Sequence, residues 1–251
     1  MPQKKFTKLL NKNIKVIILA GGLGTRLSEE TKKKPKPMVK VGKEPIISNI
    51  INIYSHYNFN NFLIAGGYKI GFIKKYFKKK KLKNLNIKIV NTGKKTMTGG
   101  RIFKLKKYVK DQKFMVTYGD GLANININKL LKFHNLSKKT ATMTVVRPPA
   151  RWGYATIKKK LITKFEEKNQ LSEGWINGGF FIFEKEFFNY FNKFKNKNNI
   201  VLEKDIFPII AKKKDLIAYK HTGFWRCMDT LRDKLYLSKL AKKKQIPWMK
   251  L

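Results

Sequence analysis

The chain of 251 residues is long enough to bury one substantial core, and its 42% apolar and 13% aromatic content excludes wholesale disorder. Lys and Arg number 57 against 15 Asp and Glu, a formal charge of +42, yet 51 of the 57 are lysine and they are spread along the whole length. Base-reading surfaces lean on the planar fork of arginine, so the excess reads as solvated surface that draws anionic substrates inward, ahead of a dedicated nucleic-acid partner.

Residues 1–13 read as a basic N-terminal extension. The apolar run that follows is too short for the roughly 7–15 residues of a signal-peptide core. No stretch approaches the roughly 18 apolar residues that span a bilayer, so no membrane partner is expected. Val16–Ala20 is continuous, apolar and closed by glycine, which predicts a buried strand. Glu44–Tyr57 carries Ile46, Ile47, Ile50, Ile53, Tyr54 and Tyr57 at helical spacing. Phe62–Ala65 predicts a second strand, Gly71–Lys79 a helix with Phe72, Tyr76 and Phe77 inward, and Ile87–Val90 a third strand. A helix over Gly99–Tyr108, a strand over Phe114–Tyr118, a helix over Ile127–Leu136 and a strand over Thr140–Arg147 complete the rhythm. That alternation predicts an α/β fold, a doubly wound and mostly parallel sheet. Beyond it, Ala155–Ile157, Ile162–Glu166 and Ile176–Phe183 read as short strands and Leu202–Lys212 and Thr230–Lys243 as helices, a small antiparallel C-terminal addition. The aromatic run EFFNYFNKF reads as a core-facing helix, and His56, His134 and His221 as surface or helix-end residues. The single cysteine, Cys227, excludes an intrachain disulfide and a cysteine metal cluster, reads as a small packed residue and fits a reducing cytoplasm.

Parallel sheets bind ligands beyond the carboxyl ends of their strands. Three predicted loops there are chemically loaded: GGLGTR, TYGDG and, if Ile162–Glu166 joins the sheet, FEEK. The first is phosphate-like, because glycines let backbone N–H groups approach an anion closely. It matches neither the dinucleotide pattern, which would need glycine where Leu27 stands, nor the P-loop. Arg26 follows it and can clamp phosphate oxygens in bidentate fashion. Lys36 lies between Pro35 and Pro37, which predicts a lysine on a stiffened, extended arm. A held cation beside a glycine loop suggests a polyphosphate ligand. Asp120 between two glycines suits a simple turn equally well, and Asp229 alone reads as a helix N-cap.

The string LAGGLGTRLSEETKKKPKPM resembles the signature of the sugar-1-phosphate nucleotidyltransferases. MTGGR, TYGDG, INGGFF and GFWRCMDTLRDK extend the resemblance to the branch that uses CTP, over nearly all of the chain from Ile14. The resemblance implies a Rossmann-like nucleotidyltransferase fold in one domain, 14–251, whose part 14–150 binds nucleotide and whose part 151–251 binds sugar. It implies transfer of a cytidylyl group from CTP to glucose 1-phosphate, with Mg2+ as cofactor and a homo-oligomer as the assembly. A shortened segment over Lys83–Val90 bears on that assembly.

Carried onto this sequence, the resemblance implies that Leu19, Ala20, Gly21, Gly22, Leu23, Gly24, Thr25 and Arg26 hold nucleotide and triphosphate. Lys36 would contact phosphate, and Thr96, Arg101 and Gly119 would seat the cytidine end. Glu167 and Lys168 would bind sugar hydroxyls and sugar phosphate, with Asn169 where the family places proline, and Gly178 and Gly179 would admit the sugar to the backbone. Asp120 and Asp229 would hold the metal, and Arg26, Lys36 and Asp120 would carry catalysis.

Overall fold

The structure is a computed structural model and describes residues 11, 13–80, 82, 84–110, 112–148, 154–166, 174–243 and 246–250. Seven strands form its main sheet: β1 (Lys15–Ala20), β2 (Asn61–Gly66), β3 (Asn86–Asn91), β4 (Phe114–Tyr118), β5 (Ala141–Val146), β6 (Ile176–Phe183) and β7 (Leu216–His221). Their spatial order is β7-β5-β6-β4-β1-β2-β3. Strands β1, β2, β3 and β4 pair in parallel, β6 runs antiparallel to β4 and β5, and β7 returns parallel to β5. The doubly wound, mostly parallel reading therefore holds.

Strand β1 shows why the centre of the sheet is stable. Val16, Ile18 and Ala20 face one apolar cluster, and Ile17 and Leu19 face the other. A strand apolar on both faces has to be covered on both. The first cover includes Ile46–His56, Ile127–Ser137 and Leu231–Leu240, with the buried Trp248 behind them. The second is an aromatic layer in which Phe114, Phe183, Phe187 and Phe191 interlock with Ile102, Leu202 and Phe207.

Several local expectations change. Phe72 is exposed, and Ile73 is the inward residue of its helix. Tyr76 and Phe77 lie three and four positions beyond Ile73, on its face. The predicted helix over Gly99–Tyr108 is two pieces, Thr98–Lys104 and Lys106–Val109. Leu202–Lys212 opens with a wide turn, Leu202–Ile206, and becomes regular at Phe207, where Pro208 sits in the first turn and needs no donor. Leu161–Glu166 does not join the main sheet; it pairs only with Tyr154–Lys158, as a separate hairpin. Strand β7 was not anticipated, because LIAYKH alternates weakly at an edge. His134 stands at a helix end as expected, but buried and hydrogen-bonded to Thr142 and Glu184 instead of on the surface.

The sheet order reverses between β1 and β4: β2 and β3 lie on one side of that pair, and β6, β5 and β7 on the other. The loops leaving β1 and β4 diverge there, which opens a crevice at their carboxyl ends.

Candidate active site

A cavity of about 570 Å³ occupies that crevice, within the range of ligand pockets. Leu19, Ala20, Gly21, Gly22 and Arg26 line it from the loop after β1, and Gly119 and Asp120 from the loop after β4. Gly24 takes φ +68, a left-handed conformation that a side chain would strain. Its carbonyl accepts from Leu27 N and Thr31 Oγ1, both at 3.0 Å, which folds the loop back into a short helical turn.

Arg101 fixes the floor of this loop. It is buried, and its Nη2 donates to the Gly21 carbonyl at 2.8 Å while Nη1 donates to Thr92 Oγ1 at 2.6 Å and the Gly93 carbonyl at 2.8 Å. A Cβ on Gly21 would stand 2.1 Å from Arg101 Nη1, so a side chain there would force the guanidinium off its present partners. Burial lowers the Arg101 pKa from its ordinary value. Thr96 is buried beside it and donates to the Thr92 carbonyl at 2.6 Å.

Lys36 packs against the same loop: a Cβ on Gly24 would meet its Cβ at 3.1 Å. Among the described residues the buried lysine and arginine are Lys36 and Arg101, and both line the cavity. The extended residue here is Pro35; Lys36 itself opens a tight turn, Lys36–Met38, closed by Met38 N donating to the Pro35 carbonyl at 2.8 Å. Pro37 fits the second position of that turn, where its missing N–H is not needed. From this turn Lys36 Nζ donates to Asp120 Oδ2 and to Asp229 Oδ1, each at 2.6 Å. Arg26 Nη1 donates to the other Asp229 oxygen at 2.7 Å from an exposed position. Burial pulls the Lys36 pKa down, but the Asp120 charge, Cys227 and the hydrogen bonds to Asp120 and Asp229 together outweigh it, and the net shift is upward. Burial raises Asp229 while hydrogen bonding and charge from Lys36 lower it, and the net shift is downward.

The two aspartates are 109 positions apart in sequence and are brought together by a miniature ladder. Gly121–Ala123 pairs antiparallel with Trp225–Cys227, and Met228 N donates to the Asp120 carbonyl at 2.9 Å. Thr230, and not Asp229, caps the following helix, in a capping box with Asp233. The Asp233 carboxylate also accepts from the Asp229 backbone N–H and is paired with Arg226 at 2.9 Å. One ligand atom from each of Asp120, Cys227 and Asp229 lies within 4.8 Å of the others, a group able to hold a metal ion. Paired carboxylates suit a hard divalent cation, and the lysine between them shows that the position already accepts positive charge. Cys227 also lines the cavity, and burial and then the Asp120 charge push its thiol up.

The far end of the cavity is a hydrogen-bonded cluster. Tyr118 OH donates to Glu203 Oε1 and accepts from Asn177 Nδ2. Thr98 Oγ1 donates to Glu203 Oε2 at 2.8 Å and accepts from Leu202 N at 2.8 Å. Burial, with the charge of Glu203, raises the Tyr118 pKa well above the phenol range. Gly179 takes φ +80 where β6 bulges around the Tyr118 ring, and the Gly178 carbonyl accepts from Trp225 Nε1 at 2.8 Å.

Of the residues expected at the site, the crevice gathers Leu19, Ala20, Gly21, Gly22, Arg26, Lys36, Thr96, Arg101, Gly119, Asp120 and Asp229. Leu23 is half exposed, and Leu23, Gly24, Thr25, Gly178 and Gly179 are not among the residues that line the cavity. Glu167 and Lys168 lie outside the described residues. Tyr118, Asn177, Glu203, Trp225 and Cys227 line the cavity and were not singled out as site residues. Tyr118 and Asn177 lie inside motifs already noted, TYGDG and INGGFF, and Trp225 and Cys227 inside GFWRCMDTLRDK; Glu203 had no such signal.

A nucleotidyl transferase family model matches residues 15–239. The glucose-1-phosphate cytidylyltransferase of Salmonella typhimurium is 38% identical over 257 residues, covering 94% of this chain and 98% of that protein. A D-glycero-alpha-D-manno-heptose 1-phosphate guanylyltransferase of Campylobacter jejuni is 33% identical over 179 residues, covering 71% of this chain and 79% of its own. Among solved structures, HddC of Yersinia pseudotuberculosis, in complex with GMP-PN, superposes with a TM-score of 0.72 at 22% identity, covering 91% of this chain and all of that one.

Proposed function

The chain belongs to the nucleotidyl transferase family, and from that premise we propose that it transfers a cytidylyl group from CTP to α-D-glucose 1-phosphate, giving CDP-glucose and pyrophosphate. The observation that carries this reading is the convergence of Lys36, Asp120 and Asp229 at the mouth of the glycine loop.

The glycine loop offers backbone N–H groups to the triphosphate, and Arg26 clamps its oxygens from the rim. Arg101 holds the loop to its shape by occupying the Gly21 carbonyl. Asp120 and Asp229 would hold magnesium, which when bound neutralises charge spreading over the phosphate oxygens. Lys36 meets the same developing charge from inside the protein. The sugar phosphate arrives ionised, so no side chain has to remove a proton from it. Neither His134 nor His221 lines the cavity, in keeping with that chemistry. The chain's part is to bring two anions into line and hold them there. The Tyr118–Asn177–Glu203 end, with acceptors and donors already fixed, is read as the sugar end.

Four nucleoside triphosphates assayed against a few sugar 1-phosphates, with pyrophosphate as readout, test the reading. Magnesium-dependent release with CTP and glucose 1-phosphate is expected. Release with a different pair moves the specificity and keeps the reaction class; no release with any pair overturns the proposal.

The free thiol of Cys227 suits a cytoplasmic location. No helix among the described residues is long and apolar enough to cross a membrane. Leu231 and Leu235, exposed one turn apart on the last long helix, suit burial against a second copy. Light scattering of the purified chain tests a homo-oligomer directly.

A further inference from the structure

Asp120 and Asp229 stand close enough to share one ion. Two carboxylates this near repel unless a cation lies between them. Here the chain supplies its own, since Lys36 Nζ is 2.6 Å from an oxygen of each acid and its side chain is only 10% exposed. A divalent ion held by the same two acids would compete for the same oxygens and would meet a positive charge a few ångströms away. Both cannot occupy the pair at once. The backbone of Lys36 is fixed by Pro35 and Pro37, but its four-carbon stem can swing. Phosphate oxygens in the adjoining glycine loop would offer the ammonium other partners.

We propose that Lys36 is a tethered competitor for the metal position: it neutralises Asp120 and Asp229 in the free protein and holds off a divalent cation until a triphosphate draws the ammonium away. Metal and triphosphate then bind with positive coupling, because each removes an obstacle to the other. Arg26 assists from the exposed side, on the outer oxygen of Asp229. The inference rests on reading these acids as the metal pair, and on neither the base nor the sugar.

Mn2+ binding to the full chain without nucleotide, followed by the electron paramagnetic resonance of the free ion, tests it. Lys36→Met keeps the stem and removes the charge. The variant should bind Mn2+ on the order of tenfold more tightly than the wild type, the scale on which one adjacent charge shifts ion occupancy. Adding Asp120→Asn should abolish the gain. Equal or weaker binding by a folded Lys36→Met protein overturns the inference, as does the absence of Mn2+ binding to the variant. A second measurement uses the wild type alone, so that poor folding of the variant settles nothing by default. Reductive methylation read by mass spectrometry should show Lys36 labelled faster once Mn2+ is bound, with the exposed Lys74 unchanged. Unaltered protection of Lys36 at Mn2+ concentrations that fill the site overturns the inference too. A negative result in the CTP and glucose 1-phosphate assay would leave both measurements standing.

Discussion

At one end of the cavity a single stretch, residues 19–37, supplies Leu19, Gly21, Gly22, Arg26 and Lys36. At the other, Thr98, Tyr118, Asn177 and Glu203 come from four separate elements and meet through side-chain hydrogen bonds up to 105 positions apart. The first end is shaped by backbone: glycines, a left-handed turn and carbonyls held by Arg101. The second is shaped by side chains held to one another. The difference predicts distinct responses to substitution.

The largest effect is expected where the two ends share the chemistry. Asp120→Asn should lower pyrophosphate release by about 100-fold or more while leaving the fold intact, since it weakens ion binding and not packing. Circular dichroism would check the fold. Arg101→Met attacks the backbone-shaped end. It leaves the Gly21 and Gly93 carbonyls short of a buried donor, which should cost about 2–4 kcal/mol of unfolding free energy and raise the KM for nucleotide. Arg101→Lys should not rescue it, because a single ammonium cannot span the carbonyls that the fork reaches. Glu203→Gln attacks the side-chain end and should raise the KM for the sugar phosphate about tenfold, the scale of one charge-assisted hydrogen bond. The KM for CTP should stay within about twofold. Equal shifts in both would break the comparison, because they would show the ends to be one site.

The smallest effect lies away from the cavity. Burial outweighs the neighbouring Glu184 and holds the His134 pKa below its ordinary value, and burial does the same to His221. Below about pH 6.5 the unfolded chain takes up protons that the folded chain resists. Stability should therefore be steady above that pH and decline as the pH falls below it. His134→Asn should flatten part of that decline in thermal melts taken from about pH 7.5 to 5.

The same contrast governs how much was legible in the sequence. The strands around the crevice declared themselves, because VIILA and FMVTY are apolar on both faces and are stopped by glycine. The glycine loop was legible for the same reason: its chemistry is local, so spacing preserves it. Lys36 could be picked from 51 lysines by its proline flanks, although its turn geometry could not. Glu203 could not be picked at all, since nothing in VLEKD marks the carboxylate that will find Tyr118. The role of Arg101 also changed on folding. Its position at the nucleotide end was anticipated, but its donors go to backbone carbonyls, a long-range result that spacing does not encode. Strand β7 was missed because an edge strand needs only one apolar face, and its own alternates weakly.

The ladder that joins Gly121–Ala123 to Trp225–Cys227 has a consequence for synthesis. Arg26 and Asp229 pair across 203 positions, so the crevice is closed by a segment synthesised long after its glycine loop. A nascent or prematurely terminated chain could complete the strands β1 to β4 and still possess only one of its two acids. The paired acids thus exist only once the Trp225–Cys227 strand has been added to Gly121–Ala123, and chains ending before Trp225 would lack the second acid.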